Sequence, residues 1–360
     1  MEYKQKMVKD LLERIAKLEK PEINPVIGSK YPFSYRNKAQ FPLTTNREGE
    51  IVTGFYKQGS HQVVVHNNCQ IQHPLINRII NETIVILNEY KFSVYNEELH
   101  KGVLRYLLVR VGICTNQALL TIVTSQSKLP TGHEIARRIR EAVPEIVGVL
   151  QNINQNKTNV IIGGKTKVLS GQDFYIDFIG DIKYAISAPS FFQVNTLQTN
   201  VLYDLVVQFA SFTGNELVVD AYCGIGSISL YLAKKVKRVI GIEEVQEAIN
   251  DAEKNAAINN INNCTFITGK VEEELPLLMR QGIKPDLLVF DPPRKGLDQG
   301  VIKAVLKTKP AKIIYVSCNP ATLARDLAIF KDKYTIQKVQ AVDMFPNTYH
   351  IENVVLMEVE

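Results

Sequence analysis

Between Glu2 and Lys20, apolar Met7, Leu11, Leu12, Ile15 and Leu18 recur at helical spacing among lysines and glutamates and stop at Pro21. That spacing predicts an amphipathic helix that packs by one face. From Ile23 to about Ile186 the period shortens. Alternating runs such as GEIVTGFYKQGSHQVVVH, and LRYLLVRVG followed by ALLTIVT, predict an antiparallel sheet interrupted by helices near Pro74 to Tyr90 and Gly132 to Val143. The texture changes again after FFQVN at 191 to 195. Leu197, Val201, Leu202, Leu205, Val206 and Phe209 mark a helix, and short buried strands then alternate with helices to the end of the chain. Three segments follow: a helix over 1–22, a β-rich domain over 23–186 and an α/β domain over 187–360.

The α/β part begins as a nucleotide fold. Leu217 to Asp220 is a strand, AYCGIG at 221 to 226 a glycine turn, and Ser227 to Lys234 the returning helix; Arg238 to Ile242 is the next strand, with Glu243 at its end. The glycines let the backbone turn sharply and approach a ligand, and an acid in this place suits ribose hydroxyls. Ser229 stands where a dinucleotide fingerprint has its third glycine. A ligand with an adenosine but no pyrophosphate, such as S-adenosylmethionine, fits better. Further on, Asp286 to Phe290 predicts a strand ending in DPPRKG at 291 to 296, and two prolines after Asp291 fix the backbone on the rim where open α/β sheets bind ligands.

Cys318 lies on the same rim. Ile313 to Val316 predicts a buried strand, Asn319 a helix N-cap and Pro320 the first helical residue. The positive end of that helix would favour a thiolate and lower the thiol pKa, the property of a nucleophile. A buried, inert cysteine fits the same stretch. The chain ends in a predicted hairpin, Thr335 to Val342 and Glu352 to Val359, taken as the sheet's edge, with Glu352 near the rim.

Composition narrows the class without deciding it. The 360 residues suffice for two cores, and a net charge of +5 permits a nucleic-acid partner without requiring one. Five cysteines without a CxxC pair suit a reducing cytoplasm; no long apolar span or signal-peptide pattern is present, and no membrane partner is expected. YPFSYRNKAQF at 31 to 41 interleaves aromatics with Arg36 and Lys38, and Arg105 and Arg110 follow on a later strand. Cations beside stacking planes suit single-stranded RNA, although a solvated strand face fits equally. Cys69 with His66 and His73 lacks a fourth ligand for zinc.

Together, FFQVN, DAYCGIG, DPPRKG, SCNPATLARD at 317 to 326 and MFPNTYHIENVVL at 344 to 356, with YRNKAQ at the front, resemble the S-adenosylmethionine-dependent RNA 5-methyluridine methyltransferases over essentially the whole chain. TLARDL and MFPNTYHIE are more similar to the bacterial 23S ribosomal RNA branch than to the transfer-RNA branch. The resemblance implies a Rossmann-like methyltransferase domain behind a mostly antiparallel, β-rich RNA-binding domain, in a cytoplasmic protein expected to be a monomer. It implies Cys318 as nucleophile and Glu352 as base, with Gln193, Tyr222, Glu243 and Asp291 binding S-adenosylmethionine and Ser227 a weaker member of that pocket. Phe191 and Phe192 become stacking walls or core residues. Cytosine-specific relatives carry a second cysteine where Arg294 stands, which favours uracil. Many ribosomal-RNA relatives also carry a small barrel and three cysteines that join the match of Cys69 around an iron-sulfur cluster. Those parts have no counterpart in this sequence, so a truncated or reduced relative without a cluster, and no other metal site, is expected.

Overall fold

The computed structural model describes residues 1–360 except Lys20, Glu22 and Glu360, so the boundary expected at 22 lies partly outside the described residues. The chain divides into two compact units. One comprises 1–32, 179–184 and 190–360; the other comprises 33–178 and 185–189.

The second unit is a seven-stranded sheet in the order Val63–Val65, Ile51–Tyr56, Lys38–Thr45, Leu104–Val111, Ala118–Thr124, Ile146–Ile153, Lys165–Gly171. Its pairs are antiparallel with one exception that alternation could not reveal. Ala118–Thr124 and Ile146–Ile153 run parallel, because the helix Gly132–Ala142 between them provides the crossover that a parallel pair needs. That helix and Pro74–Glu89 cover one face, where Ile76, Ile79, Ile135 and Ile139 join Phe41, Leu107 and Val109 in a continuous core.

The first unit holds an eight-stranded sheet in the order Ile23–Ile27, Tyr334–Val342, Glu352–Val359, Lys312–Ser317, Leu287–Phe290, Leu217–Ala221, Arg238–Glu243, Cys264–Thr268. The last five of these run parallel to one another, and Glu352–Val359 is antiparallel to both of its neighbours. Two expectations change here. Ile23–Ile27 does not join the β-rich sheet but pairs in parallel with Tyr334–Val342, and this makes it the edge in place of the C-terminal hairpin. Glu352 begins the strand that lies between Tyr334–Val342 and Lys312–Ser317, so it is interior and 3 % exposed. The helix Glu2–Arg14 packs on this unit, with Val8 and Leu12 fully buried beside Leu323, Leu327 and Phe330.

Candidate active site

Backbone register assembles the site. Ala221, Phe290 and Tyr315 lie side by side across three parallel strands, with Ile242 beside Ala221, so the chain leaves the sheet there at Tyr222, Asp291 and Glu243. On the antiparallel side Ser317 pairs with Asn353. One step further along this register sets Cys318 opposite Glu352. Cys318, Glu352 and Asp291, from three different strand ends, thus meet on one rim.

Their charges oppose one another. Glu352 is buried and its Oε2 has no hydrogen-bond partner. Burial, then the Asp291 carboxylate, holds the Glu352 carboxyl well above its usual range, while Arg294 pulls it down. Asp291 is pushed up to about 7 by burial and by Asp220. Cys318, partly exposed, corrects the expectation of an activated thiolate: burial, Glu352 and Asp291 push the thiol up to about 11, against the pull of the Arg294 guanidinium that bonds to it. The helix end offers little against this, because Pro320 at its first position has no N–H and the Asn319 side chain caps the next amide. Ala321 N donates to Asn319 Oδ1 at 3.2 Å and Leu323 N to Asn319 O at 3.0 Å.

Arg294 is the participant whose role the sequence reading missed. Among the described residues its guanidinium faces both Cys318 and Glu352. Its carbonyl accepts from Asn319 Nδ2 at 3.0 Å and Thr322 Oγ1 at 3.2 Å, which ties the DPPRKG loop to the cysteine helix. Its Nη2 donates to His350 Nδ1 at 2.8 Å, and Tyr349, 68 % exposed, lies with its ring 4.1 Å from that of His350. The signal available in the sequence was a cation, Arg294, three residues after the rim carboxylate Asp291.

The glycine turn forms the other half of the rim. Tyr222 takes a positive φ of 70°, a strained value for a side chain of its size. Burial, with Glu272, Asp298 and Asp326, raises its phenol. Glu243 accepts from Gly224 N at 3.2 Å and Val245 N at 3.0 Å, so its carboxylate holds the turn and keeps acceptor capacity for a ligand. A Cβ on Gly224, at φ 54°, would meet nothing within 4 Å, whereas one on Gly226 would come within 3.1 Å of the Phe266 ring. The turn is therefore packed behind and open in front, which fits an adenosine-bearing ligand. Ser229 replaces the third glycine because its Oγ donates to buried Asp220 Oδ2 at 2.6 Å. Gln193 is buried just ahead of the helix Thr196–Ala210. Ser227 Oγ accepts from Tyr203 at 2.9 Å. Phe192 is a core residue against Tyr184, while Phe191 is 65 % exposed.

In the second unit, Arg105 and Arg110 are not exposed phosphate contacts. Both are buried; Arg105 donates to the carbonyls of Asn154 and Asn156, and Arg110 donates twice to the carbonyl of Ala188. Lys38, paired across the ladder with Arg110, is pushed down to about 7 by burial, Arg110 and Arg36. Around Cys69, His73 caps a helix by accepting from Leu75 N, and no group of three metal-ligating side chains occurs among the described residues.

Comparison with known proteins identifies the family. The sequence profile of the tRNA (uracil-5-)-methyltransferases matches residues 1–360. The chain belongs to that family. It is 46 % identical over 361 residues to an uncharacterized RNA methyltransferase of Halalkalibacterium halodurans, covering 100 % of this chain and 79 % of the relative. It is 48 % identical over 358 residues to one from Bacillus cereus, covering 99 % and 78 %. The fold resembles the Pyrococcus abyssi tRNA (uracil-54, C5)-methyltransferase solved with S-adenosyl-L-homocysteine. The TM-score is 0.80 at 28 % identity, over 99 % of this chain and 83 % of that one. This family member is an S-adenosylmethionine-dependent RNA (uracil-5-)-methyltransferase with the α/β methyltransferase fold expected from its sequence. Among the described residues no helix is long and apolar enough to cross a membrane.

Proposed function

We propose that the enzyme methylates carbon 5 of a uridine in RNA through a covalent Cys318 adduct, with Glu352 as the base, and that its substrate is 23S ribosomal RNA. The observation that carries this reading is the register that sets Cys318 against Glu352 on one rim, with Arg294 facing both. Carbon 5 of uracil is a weak nucleophile. The ionised Cys318 sulfur bonds to carbon 6, and the electron pair of the carbon 5–carbon 6 double bond moves toward the oxygen on carbon 4. Gln193, Tyr222, Glu243 and Asp291 around the open glycine turn would hold S-adenosylmethionine, which would supply the methyl group to carbon 5, its sulfonium sulfur keeping the electron pair of the broken bond and leaving as S-adenosylhomocysteine. The Glu352 carboxylate then removes the proton left on carbon 5, the double bond re-forms, and the sulfur–carbon 6 bond breaks to return Cys318.

A carboxyl held above its usual range is a stronger base once ionised, and a thiol held high is a poorer leaving group, so elimination needs the compensating charge that Arg294 brings to the sulfur. The target base must be unstacked to reach the partly exposed Cys318 sulfur, and exposed Tyr349, Phe191 and Tyr31 are surfaces for its neighbours. TLARDL and MFPNTYHIE favour ribosomal RNA. The fold likeness to a tRNA methyltransferase and the family's description favour transfer RNA as the second reading. Labelled S-adenosylmethionine with unmodified 23S RNA and transfer RNA, followed by mapping of 5-methyluridine, separates the two. Label in 23S uridine that is abolished by Cys318→Ala is expected; label confined to transfer RNA supports the second reading.

A further inference from the structure

The N-terminal helix carries a lysine that its packing does not need. Helix Glu2–Arg14 is held by Val8 and Leu12 in the core, yet Lys4 in its first turn is also buried, with 9 % of its side chain exposed. All three donors of the ammonium are used on one short stretch far along the chain. Lys4 Nζ donates to Asp343 Oδ1 at 2.7 Å, to the carbonyl of Phe345 at 3.1 Å and to the carbonyl of His350 at 2.7 Å.

That stretch joins Val342 to Glu352, which are direct partners across the final antiparallel pair. Asp343 is the first residue on the outgoing leg, and His350 lies two before Glu352 on the returning leg. The ammonium therefore spans both legs of the connection that carries Glu352. The same connection bears the His350 ring on which Arg294 donates. Asn195 Nδ2 adds a bond to Met344 O at 3.1 Å and Asn347 Nδ2 one to Pro32 O at 2.7 Å, but each holds a single point. A buried ion pair is a poor way to gain stability, because desolvation offsets most of the attraction; what it adds is a fixed geometry.

We propose that Lys4 is a positioning residue for the methyltransferase reaction: it holds the 343–350 connection so that Glu352 and the His350–Arg294 pair face Cys318. This rests on the proposed role of Glu352 as base. A base displaced by about 1 Å loses roughly a hundredfold in rate, and supporting residues of this kind typically account for ten- to a hundredfold. The loss would fall on proton removal, after the sulfur–carbon bond has formed, so the covalent enzyme–RNA species should accumulate.

The test uses the full chain with methyl-labelled S-adenosylmethionine and the RNA that wild type modifies, in wild type, Lys4→Met, Asp343→Asn and Glu352→Gln. Lys4→Met is expected to lower kcat about ten- to a hundredfold, with KM falling alongside it because the slowed step follows methyl transfer, and to leave a labelled protein–RNA band that wild type lacks. Asp343→Asn should do the same to a smaller degree, and it decides the matter if Lys4→Met does not fold. A purely structural role would lower the folded fraction and give no such band. Turnover within about twofold of wild type, or slow turnover without the band while Glu352→Gln traps it, overturns the positioning role. Failure of Glu352→Gln itself to trap RNA overturns the base assignment instead.

Discussion

Ionisation of Cys318 gives a direct measure of the site's electrostatics, because the local helix and the surrounding acids push it in opposite directions. Burial, Glu352 and Asp291 carry the thiol from 9.0 to about 11. At about pH 8 such a thiol is ionised to roughly one part in a thousand, against roughly one in ten without the shift, so alkylation should be about a hundredfold slower than at an unperturbed cysteine. Iodoacetamide labelling of the free protein, followed by mass spectrometry of the peptide around Cys318, reads this residue apart from the other four. The rate should keep rising about tenfold per pH unit up to roughly pH 10. Glu352→Gln removes a charge that raises the thiol and should speed labelling severalfold; Arg294→Gln removes the charge that lowers it and should slow labelling. A rate that levels off below about pH 8, as a thiolate stabilised by a helix end would show, refutes the reasoning.

Other consequences are equally specific. Glu352 titrates high when folded, so relative to Gln it contributes stability only below its unfolded value near 4.3 and loses it as pH rises; Glu352→Gln should raise the melting midpoint by a few degrees at about pH 8 and leave it unchanged near pH 4. Gly224→Ala should cost only the roughly 1–2 kcal/mol of a left-handed alanine yet weaken S-adenosylmethionine binding more than about tenfold in calorimetry, whereas Gly226→Ala should destabilise further by forcing Phe266 aside. Arg105→Ala should lower stability to denaturant by about 1–3 kcal/mol, through the orphaned carbonyls of Asn154 and Asn156, without changing the salt dependence of RNA binding. Tyr349→Ala should raise KM for RNA by the roughly 1–3 kcal/mol of one stacked base, with Tyr349→Phe close to wild type.

Much of the rim could be read before the fold was seen, because strand ends have local signatures. The β-branched run before Cys318, the proline pair after Asp291 and the glycine turn after Asp220 each mark where a chain leaves a sheet. What could not be read is long-range. Nothing local says that Ile23–Ile27 pairs with a strand more than three hundred residues away, or that Lys4 reaches Asp343. The helix Val271–Arg280 is hidden by Pro276, a residue that usually ends helices, although two parallel strands on either side require a crossover. The sign of the Cys318 shift fails for the same reason: the helix end is visible in sequence, while the carboxylates that outweigh it come from two other strands. Arg105 and Arg110 look like RNA contacts because charge is visible in sequence and burial is not.

The most direct test of covalent catalysis is the mass of the Cys318 peptide after Glu352→Gln enzyme meets S-adenosylmethionine and substrate RNA, with nuclease and protease digestion. A methylated uridine attached to that peptide is the predicted result, with none in Cys318→Ala. Methyl transfer that proceeds undiminished in Cys318→Ala would contradict the account.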